Sequence, residues 1–525
     1  MTLLSVRGLS VRLGAAPVVS DLSFDLARGG VLGVVGESGS GKSVTALAIA
    51  GLLPDGMTAR GSVRLEGDEL LGLGDTAMSR RRGSQIGMVF QEPMTALNPL
   101  HTIGDQVAEP IRLHGRLPRR EALDRAAGVL ARVGLPRERF SLSLYPHQLS
   151  GGQRQRVAIA AAISAKPRLL IADEPTTALD VTTQGAILSL IRGLVAEDGM
   201  GLVLITHDLA VVAGLAGEIV VMRAGRAVAQ GPTEAVFRGG ESYVRSLVAA
   251  TCPARRKAAA PPGAPLLSVD RATRDYPLPR PSPFAARPVR RALDAVSIEL
   301  CEGESLGLVG ASGSGKSTLA RAILGLEALQ SGVVRLAGRP VGPGMERAFR
   351  RHMQAVFQDP YGSFDPRWRV ARLVAEPFHL TGRPPDAAER IAAALTEVGL
   401  QASDAGRFIH EFSGGQRQRI AIARALIARP KLIVLDEAVS ALDVRVRAQV
   451  LELLAGLRAA HGLSYLFISH DLSVVRAVTD RVVVLDAGRI VEAGPTEAVL
   501  AAPRHPVTRA LVAAMPRLPE GWATA

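Results

Sequence analysis

The chain of 525 residues is 47% hydrophobic and 21% charged, which excludes a disordered protein and leaves room for about two to four domains, each with its own core. No run approaches the ~18 uninterrupted apolar residues of a membrane-spanning helix, and MTLLSVRGLSVRLG lacks the charged-then-apolar form of a signal peptide, so a cytoplasmic location is predicted. The net charge of +13 is spread along the chain with no block of like charges, which argues against nucleic acid or a bare anionic membrane as the partner.

In chain order, LLSV (3–6) comes first, and an apolar strand VLGVV then runs into GESGSGKS (36–43) and the helical pattern VTALAIAGLL. The strand MVF ends at Gln91, and from there to Ser150 the pattern turns helical, as in EALDRAAGVLARVG. LSGGQRQR (149–156) opens an Ala-rich helix; LLIADEP (169–175) is a buried strand ending on Asp173 and Glu174; TALD (177–180) follows. Another buried strand, LVLIT, ends at His207, and GPTEAV (231–236) closes the segment. TCPARRKAAAPPGAPL (251–266) is Pro/Ala-rich without an apolar period and reads as an extended linker.

The same series then returns: LLSV at 266–269, GASGSGKS at 310–317, AVFQDP at 355–360, FSGGQRQR at 412–419, LIVLDEA at 432–438, SALD at 440–443, FISHDL at 467–472 and GPTEAV at 494–499. The offset is 263 residues at both ends and 316 − 42 = 274 at the lysines, which predicts an insertion in PLPRPSPFAARPVRR (277–291). So long a period describes tandem domains rather than a solenoid. The boundaries expected are 1–250, a linker 251–266, and 267–525, the last ending in a short tail from about 496. Doubly apolar strands separated by helices predict, in each half, a parallel sheet covered on both faces with an all-helical insert.

The chemistry lies in the repeated motifs. A glycine-rich loop between a strand and a helix is the context of a phosphate-binding P-loop: Gly36, Ser38, Gly39 and Gly41 close backbone N–H groups around a phosphate, Lys42 adds a point charge and Ser43 can hold Mg²⁺. Gly310, Ser312, Gly313, Gly315, Lys316, Ser317 and Thr318 are the second copy. Only five of the 62 basic residues are lysine, and two of those five are Lys42 and Lys316, where a compact ammonium fits between phosphates and a planar guanidinium does not. Asp173 and Asp436 at strand ends can bind the metal, while Glu174 and Glu437 can polarise an attacking water. His207 and His470, at strand ends lining the same crevice, are placed to contact the γ-phosphate, and Gln91 and Gln358 to contact water or metal. Each half has its own P-loop, so the helix starts Ser150-Gly151-Gly152-Gln153 and Ser413-Gly414-Gly415-Gln416 are surplus in cis; they make sense if each meets the phosphate held by the other half.

With P-loop, Gln, LSGGQ, acidic pair, the Asp180 or Asp443 of TALD and SALD, and histidine in this order, nearly the whole chain resembles an ATP-binding subunit of the ABC transporter superfamily with two fused nucleotide-binding domains. That resemblance implies an α/β fold of two tandem P-loop NTPase domains, each with a parallel-sheet core, an N-terminal antiparallel β subdomain and a helical insert. It implies two ATP molecules between head-to-tail halves: Lys42, Ser43, Gln91, Asp173, Glu174 and His207 with Ser413 and Gly415, and Lys316, Ser317, Gln358, Asp436, Glu437 and His470 with Ser150 and Gly152. An aromatic residue near the end of the first strand usually stacks on adenine in this family; Tyr276 has that place in the second half, and Leu13 in the first.

A narrower resemblance rests on QEPMTALNPLHTIGDQVAEPIRLH, QDPYGSFDPRWRVARLVAEPFHL and the tail RHPVTRALVAAMP (504–516), which are similar to the ATPases of peptide/nickel importers, the family that takes up dipeptides, oligopeptides, glutathione and related solutes. It implies ATP and Mg²⁺ as cofactors, two membrane-spanning permease subunits and an extracytoplasmic solute-binding protein as partners, and a peripheral position on the cytoplasmic face of the inner membrane. Some relatives hold an iron–sulfur cluster on several cysteines of the extension; here Cys252 alone is near that place, and no cluster is expected. Soluble twin ATPases that act on ribosomes share the ATP motifs, but they carry a long charged helical linker where this chain has a short Pro/Ala-rich one.

Overall fold

The computed structural model describes residues 1–91, 96–177, 179–251, 263–278, 280, 284, 286–359, 362–440, 442–519 and 522. Each half is built on two sheets. In the first, β1 (Thr2–Leu13) and β2 (Ala16–Ala27) form a long hairpin, β3 (Val31–Gly36) leads into the glycine-rich loop, and β4 (Met57–Leu65) and β5 (Asp68–Glu69) complete an antiparallel sheet of order β2-β1-β4-β5. β6 (Ile86–Val89), β7 (Leu169–Asp173), β8 (Gly201–Ile205), β9 (Glu218–Arg223) and β10 (Arg226–Pro232) join β3 in a sheet of order β10-β9-β3-β8-β7-β6. β3 lies parallel between β8 and β9, and β7 and β8 are buried at every residue, as continuous apolar runs require when helices cover both faces.

The second half repeats this plan with β11 (Pro265–Pro277), β12 (Val289–Cys301), β13 (Ser305–Val309), β14 (Ser331–Leu336), β15 (Arg339–Val341), β16 (Met353–Val356), β17 (Leu432–Asp436), β18 (Ser464–Ile468), β19 (Arg481–Asp486) and β20 (Arg489–Pro495). Its sheets run β12-β11-β14-β15 and β16-β17-β18-β13-β19-β20. The extra length before the second lysine sits in the hairpin: β11 and β12 have 13 residues each against 12 in β1 and β2, and the turn at Gly14 and Ala15 becomes residues 278–288. The hairpin register is otherwise the same, since Val11↔Val19 and Leu13↔Ala16 recur as Arg274↔Leu293 and Tyr276↔Arg290. Leu13 and Tyr276 therefore stand at equivalent positions.

In the first half, helices Ile103–Gly115 and Arg119–Arg132 pack on Gly151–Ile163. In the second, the shorter Val370–Val374 and Ala387–Glu397 pack on Gly414–Leu426. No helix among the described residues is long and apolar enough to cross a membrane.

Cys252 and most of the expected linker (252–262) lie outside the described residues, as do 92–95 and 360–361 of the two segments that follow Gln91 and Gln358. The linker is shorter than its composition suggests at both ends. Thr251 still belongs to helix Ser242–Thr251, its hydroxyl donating to the Leu247 carbonyl, and Leu266 is a core residue of β11. Nor is the tail particular to the second half: helices Thr496–Ala501 and Pro506–Ala513 repeat Thr233–Arg238 and Ser242–Thr251. These terminal helices join the halves, Ser242–Thr251 packing on Val444–His461 and Pro506–Ala513 on Val181–Asp198. Beyond them Leu518 and Trp522 return to the first half, where the Trp522 ring lies 5.5 Å from that of Phe237.

Candidate functional site

The site begins where β3 and β13 end. Gly36 and Gly310 are required by space: a Cβ would stand 2.2 Å from the Met222 carbonyl oxygen at the first and 2.1 Å from that of Leu485 at the second. The loops then turn into helices Lys42–Ala50 and Lys316–Ile323. Both lysines are buried, and each folds back onto its own loop. Lys42 Nζ donates to the carbonyls of Gly36 (2.9 Å) and Glu37 (2.8 Å), and Lys316 Nζ to those of Gly310 (2.7 Å) and Ala311 (2.9 Å). Ser38, Gly39, Ser312 and Gly313 form the exposed rims, while the hydroxyls of Ser40 and Ser314 are buried without a partner inside the loops. An orphaned hydroxyl, a caged ammonium and a helix N-terminus in one loop form a cradle suited to phosphate.

Parallel pairing brings the acids to the same edge. Asp173 is in register with Ile205 and Asp436 with Ile468, so each acidic pair lies beside the strand that ends at the histidine. Glu174 and Glu437 have φ of 46° and 50°, a left-handed backbone that costs about 1–3 kcal/mol in a non-glycine residue and persists at functional sites. Their amides are fixed by the carbonyls of Ile205 (2.8 Å) and Ile468 (2.9 Å).

The Glu174 carboxylate gathers three partners. His207 Nδ1 lies 3.1 Å from one oxygen, and Gln91 Nε2 and Thr177 Oγ1 each donate to the other at 2.9 Å. Burial opposes its charge, but the histidine, Thr177 and Lys42 outweigh burial and hold the group at about 2. Glu437 is pulled down in the same way, against burial, by His470 at 3.3 Å and by Lys316. Gln358 stands exposed on the rim of a groove that also reaches Asp436, so the Gln91 link to the glutamate is a feature of the first half.

Asp173 behaves oppositely: burial, reinforced by Glu174, pushes it up, although the Ser43 hydroxyl and Lys42 pull it down, and one of its oxygens is buried without a partner. Asp436 is likewise raised by burial and by Glu437. An orphaned carboxylate oxygen beside a serine hydroxyl is a hard-oxygen pair that fits a magnesium ion, and Ser317 with Asp436 repeats the pair of residues.

The LSGGQ segments do two local jobs that the sequence reading did not assign. Ser150 caps helix Gly151–Ile163, accepting from the Gln153 amide, while the Gln153 side chain accepts from the Ser150 amide at 2.9 Å. Ser413 and Gln416 form the same reciprocal box. The S-x-x-Q spacing of a capping box was legible in both copies. The second glycine is needed for packing in cis: a Cβ on Gly152 would stand 2.4 Å from Thr183 Cγ2, and one on Gly415 2.2 Å from Val446 Cγ1. Gly151 has only Leu179 at 3.7 Å and Gly414 has nothing within 4 Å, so the first glycine of each step keeps an open face.

Asp180 and Asp443 are N-caps of helices Val181–Asp198 and Val444–His461. Each also reaches the opposite half. Burial pushes Lys42 below the usual lysine range against the pull of Glu174, Asp173, Asp443 and Glu37; Lys316 is lowered by burial against Glu437, Asp180 and Asp436. Each P-loop lysine thus feels the capping aspartate of the other half. Tyr276 lies across the hairpin from Arg290, whose guanidinium donates to the Gly313 carbonyl at 3.3 Å, and its hydroxyl donates to Glu327 at 2.6 Å. The Arg274 guanidinium lies 5.0 Å over the Tyr276 ring; Leu13, at the equivalent position, is 50% exposed.

A family model described as "ABC transporter" matches residues 19–177 and again 293–440. The chain belongs to the ABC transporter family. A glutathione import ATP-binding protein, GsiA, of Escherichia coli (strain K12) is 46% identical over 542 residues, which cover 95% of this chain and 86% of that protein. GsiA of Shigella boydii serotype 4 (strain Sb227) is also 46% identical over 537 residues, with the same coverage. Among solved structures, a dimeric ATP-binding cassette bound to ADP and Pi covers 44% of this chain and 99% of its own at 31% identity and a TM-score of 0.40. Two ABC cassettes in tandem make this chain an ATPase.

Proposed function

We propose that the chain is the ATP-hydrolysing subunit of an importer of glutathione or related small peptides, coupled to two membrane-spanning permeases and an extracytoplasmic binding protein and docked at the cytoplasmic face of the membrane. The observation that carries this reading is the 46% identity over 95% of the chain with glutathione import ATP-binding proteins, together with an intact acidic pair in both halves. A ribosome-directed role is not favoured by that relationship.

In each half the loop amides and Lys42 or Lys316 hold the phosphates, the lysine exchanging its loop carbonyls for phosphate oxygens. Mg²⁺ held by Ser43 with Asp173, or Ser317 with Asp436, would neutralise charge on the phosphate oxygens. Glu174 or Glu437, ionised at neutral pH, accepts a proton from the attacking water, and the histidine beside it fixes the carboxylate's orientation. Ser150, Gly151 and Gly152 complete the Lys316 site, and Ser413, Gly414 and Gly415 the Lys42 site, so both form only as the halves close.

The test is ATP-dependent uptake of glutathione and of small peptides into vesicles carrying the chain with its co-purifying permeases and binding protein. Uptake that requires ATP and this chain is expected. A chain that recruits no permease from membranes, or that binds permease-free anionic liposomes tightly in flotation, would overturn the reading.

A further inference from the structure

The two ATP sites share their motifs but differ in one contact between the halves. Arg445, on helix Val444–His461 of the second half, donates to Glu37 Oε1 of the first P-loop at 2.7 Å. Glu37 is the residue whose carbonyl holds Lys42 Nζ, and its carboxylate is within charge range of that lysine. Tyr243, buried on the terminal helix Ser242–Thr251, lies within charge range of both Glu37 and Arg445. At the three equivalent positions of the other site stand Ala311, Thr182 and Pro506. The cluster is present once.

An acidic side chain in a loop that binds a triphosphate is unfavourable unless its charge is compensated, because like charges repel over the few ångströms involved. In this molecule the compensating cation comes from the opposite half. Arg445 is also next to Val446, the residue that packs into the space left by Gly415, so the first P-loop and the LSGGQ helix of the second half are tied through two consecutive residues.

We propose that Arg445 is a positioning residue acting in trans: it orients and neutralises Glu37, so that nucleotide binding at the Lys42 site is strengthened by a cation from the opposite half, whereas the Lys316 site has neither the acid nor the need for it. This rests on the reading of the Lys42 loop as an ATP site. One consequence is inequality of opening. Separating the halves exposes the first site's triphosphate to an uncompensated carboxylate, whereas the second site's loop has alanine at that position.

The experiment uses the full chain carrying K316A, which isolates the Lys42 site, titrated with a fluorescent ATP analogue and Mg²⁺. R445A should weaken binding about two- to fivefold, the upper part of the range for a partly exposed ion pair. R445K should retain most of the affinity. Adding E37A to R445A should recover most of the loss, because the repulsive carboxylate is gone; a merely structural clasp predicts that the double variant is as weak as R445A or weaker. Binding untouched by R445A, or a double variant without recovery, overturns the inference alone. A K316A chain that binds no nucleotide overturns the ATP-site reading and the inference with it.

Discussion

The two glycines of the second SGG step should respond to alanine with opposite signs. A Cβ on Gly415 would stand 2.2 Å from Val446 Cγ1, well over an ångström inside the ~3.5–4.0 Å optimum for carbon pairs. The neighbour cannot swing away cheaply. Val446 is β-branched with one strongly preferred helical rotamer, and its amide is bonded to the capping carboxylate of Asp443 at 3.0 Å. Overpacking of this kind costs about 1–3 kcal/mol, against which alanine regains at most ~1 kcal/mol of helix propensity. Gly414, one residue earlier, has nothing within 4 Å of its would-be Cβ, so there only the propensity gain remains. Two similar halves need not unfold in one step, so melting transitions are the measure rather than a single unfolding free energy. Taking a net cost of about 1–2 kcal/mol from the middle of that range, and about 2–4 °C per kcal/mol for a domain of this size, scanning calorimetry should show the affected transition lowered by roughly 2–8 °C in G415A and unchanged or raised by up to ~4 °C in G414A. ATPase activity should fall in both, in G415A with the fold and in G414A without it, because the open face of Gly414 is the one left to meet phosphate. Equal destabilisation by the two substitutions would refute the packing argument, and full activity in G414A would refute the role of the open face.

Replacing both Glu174 and Glu437 by Gln should slow steady-state ATP hydrolysis by roughly 10² to 10⁴ while ATP binding persists; an active double variant would remove the general-base assignment. His207→Ala should raise the Glu174 carboxyl from about 2, since burial then acts with less opposition. A base must be deprotonated to work, so the acidic limb of the first site's pH–rate profile, measured in a K316A background, should move upward; superimposable profiles would count against the contact. The same depressed group stabilises the fold at pH values above its unfolded range of about 4.3, a contribution lost as pH falls toward about 2, so acid unfolding of H207A should show less of this loss. Leu13→Tyr, at the register position of Tyr276, should tighten nucleotide binding at the Lys42 site by the low end of the ~1–3 kcal/mol that base stacking supplies, and no gain in a titration of K316A/L13Y would sink the stacking role.

Much of this was readable in the sequence because phosphate chemistry dictates it locally. The strand-loop-helix of GESGSGKS, the strand-ending acids and the insertion in the 277–291 hairpin are all written in consecutive residues, and the fold places them as read. The left-handed backbone of Glu174 and Glu437 was not legible, because it follows from the backbone bond each makes to the neighbouring strand. Neither was the second glycine of each SGG step, whose reason is Thr183 or Val446, some thirty residues downstream. The Glu37–Arg445 pair spans 408 residues and has no copy in the other site, so the repeat, which was the strongest guide along the chain, hid it.

Where the halves are alike and where they differ follows the same division. The motifs of the two cores are duplicated nearly letter for letter. The inserts after Gln91 and Gln358 are stabilised by different means: in the second half Arg372 stacks over Trp368 at 3.8 Å, Arg424 over Phe364 at 4.5 Å and Arg407 over Phe412 at 4.2 Å. Counting from the shared glutamine, the first half has Asp105, His101 and Leu97 at the positions of Arg372, Trp368 and Phe364, and exposes Leu100 at 82% where the second has Arg367. One insert thus exposes an apolar side chain where the other exposes an arginine paired with Asp365. The two halves therefore do not offer one tip chemistry twice, and on the importer reading proposed above each insert would meet a partner surface of its own.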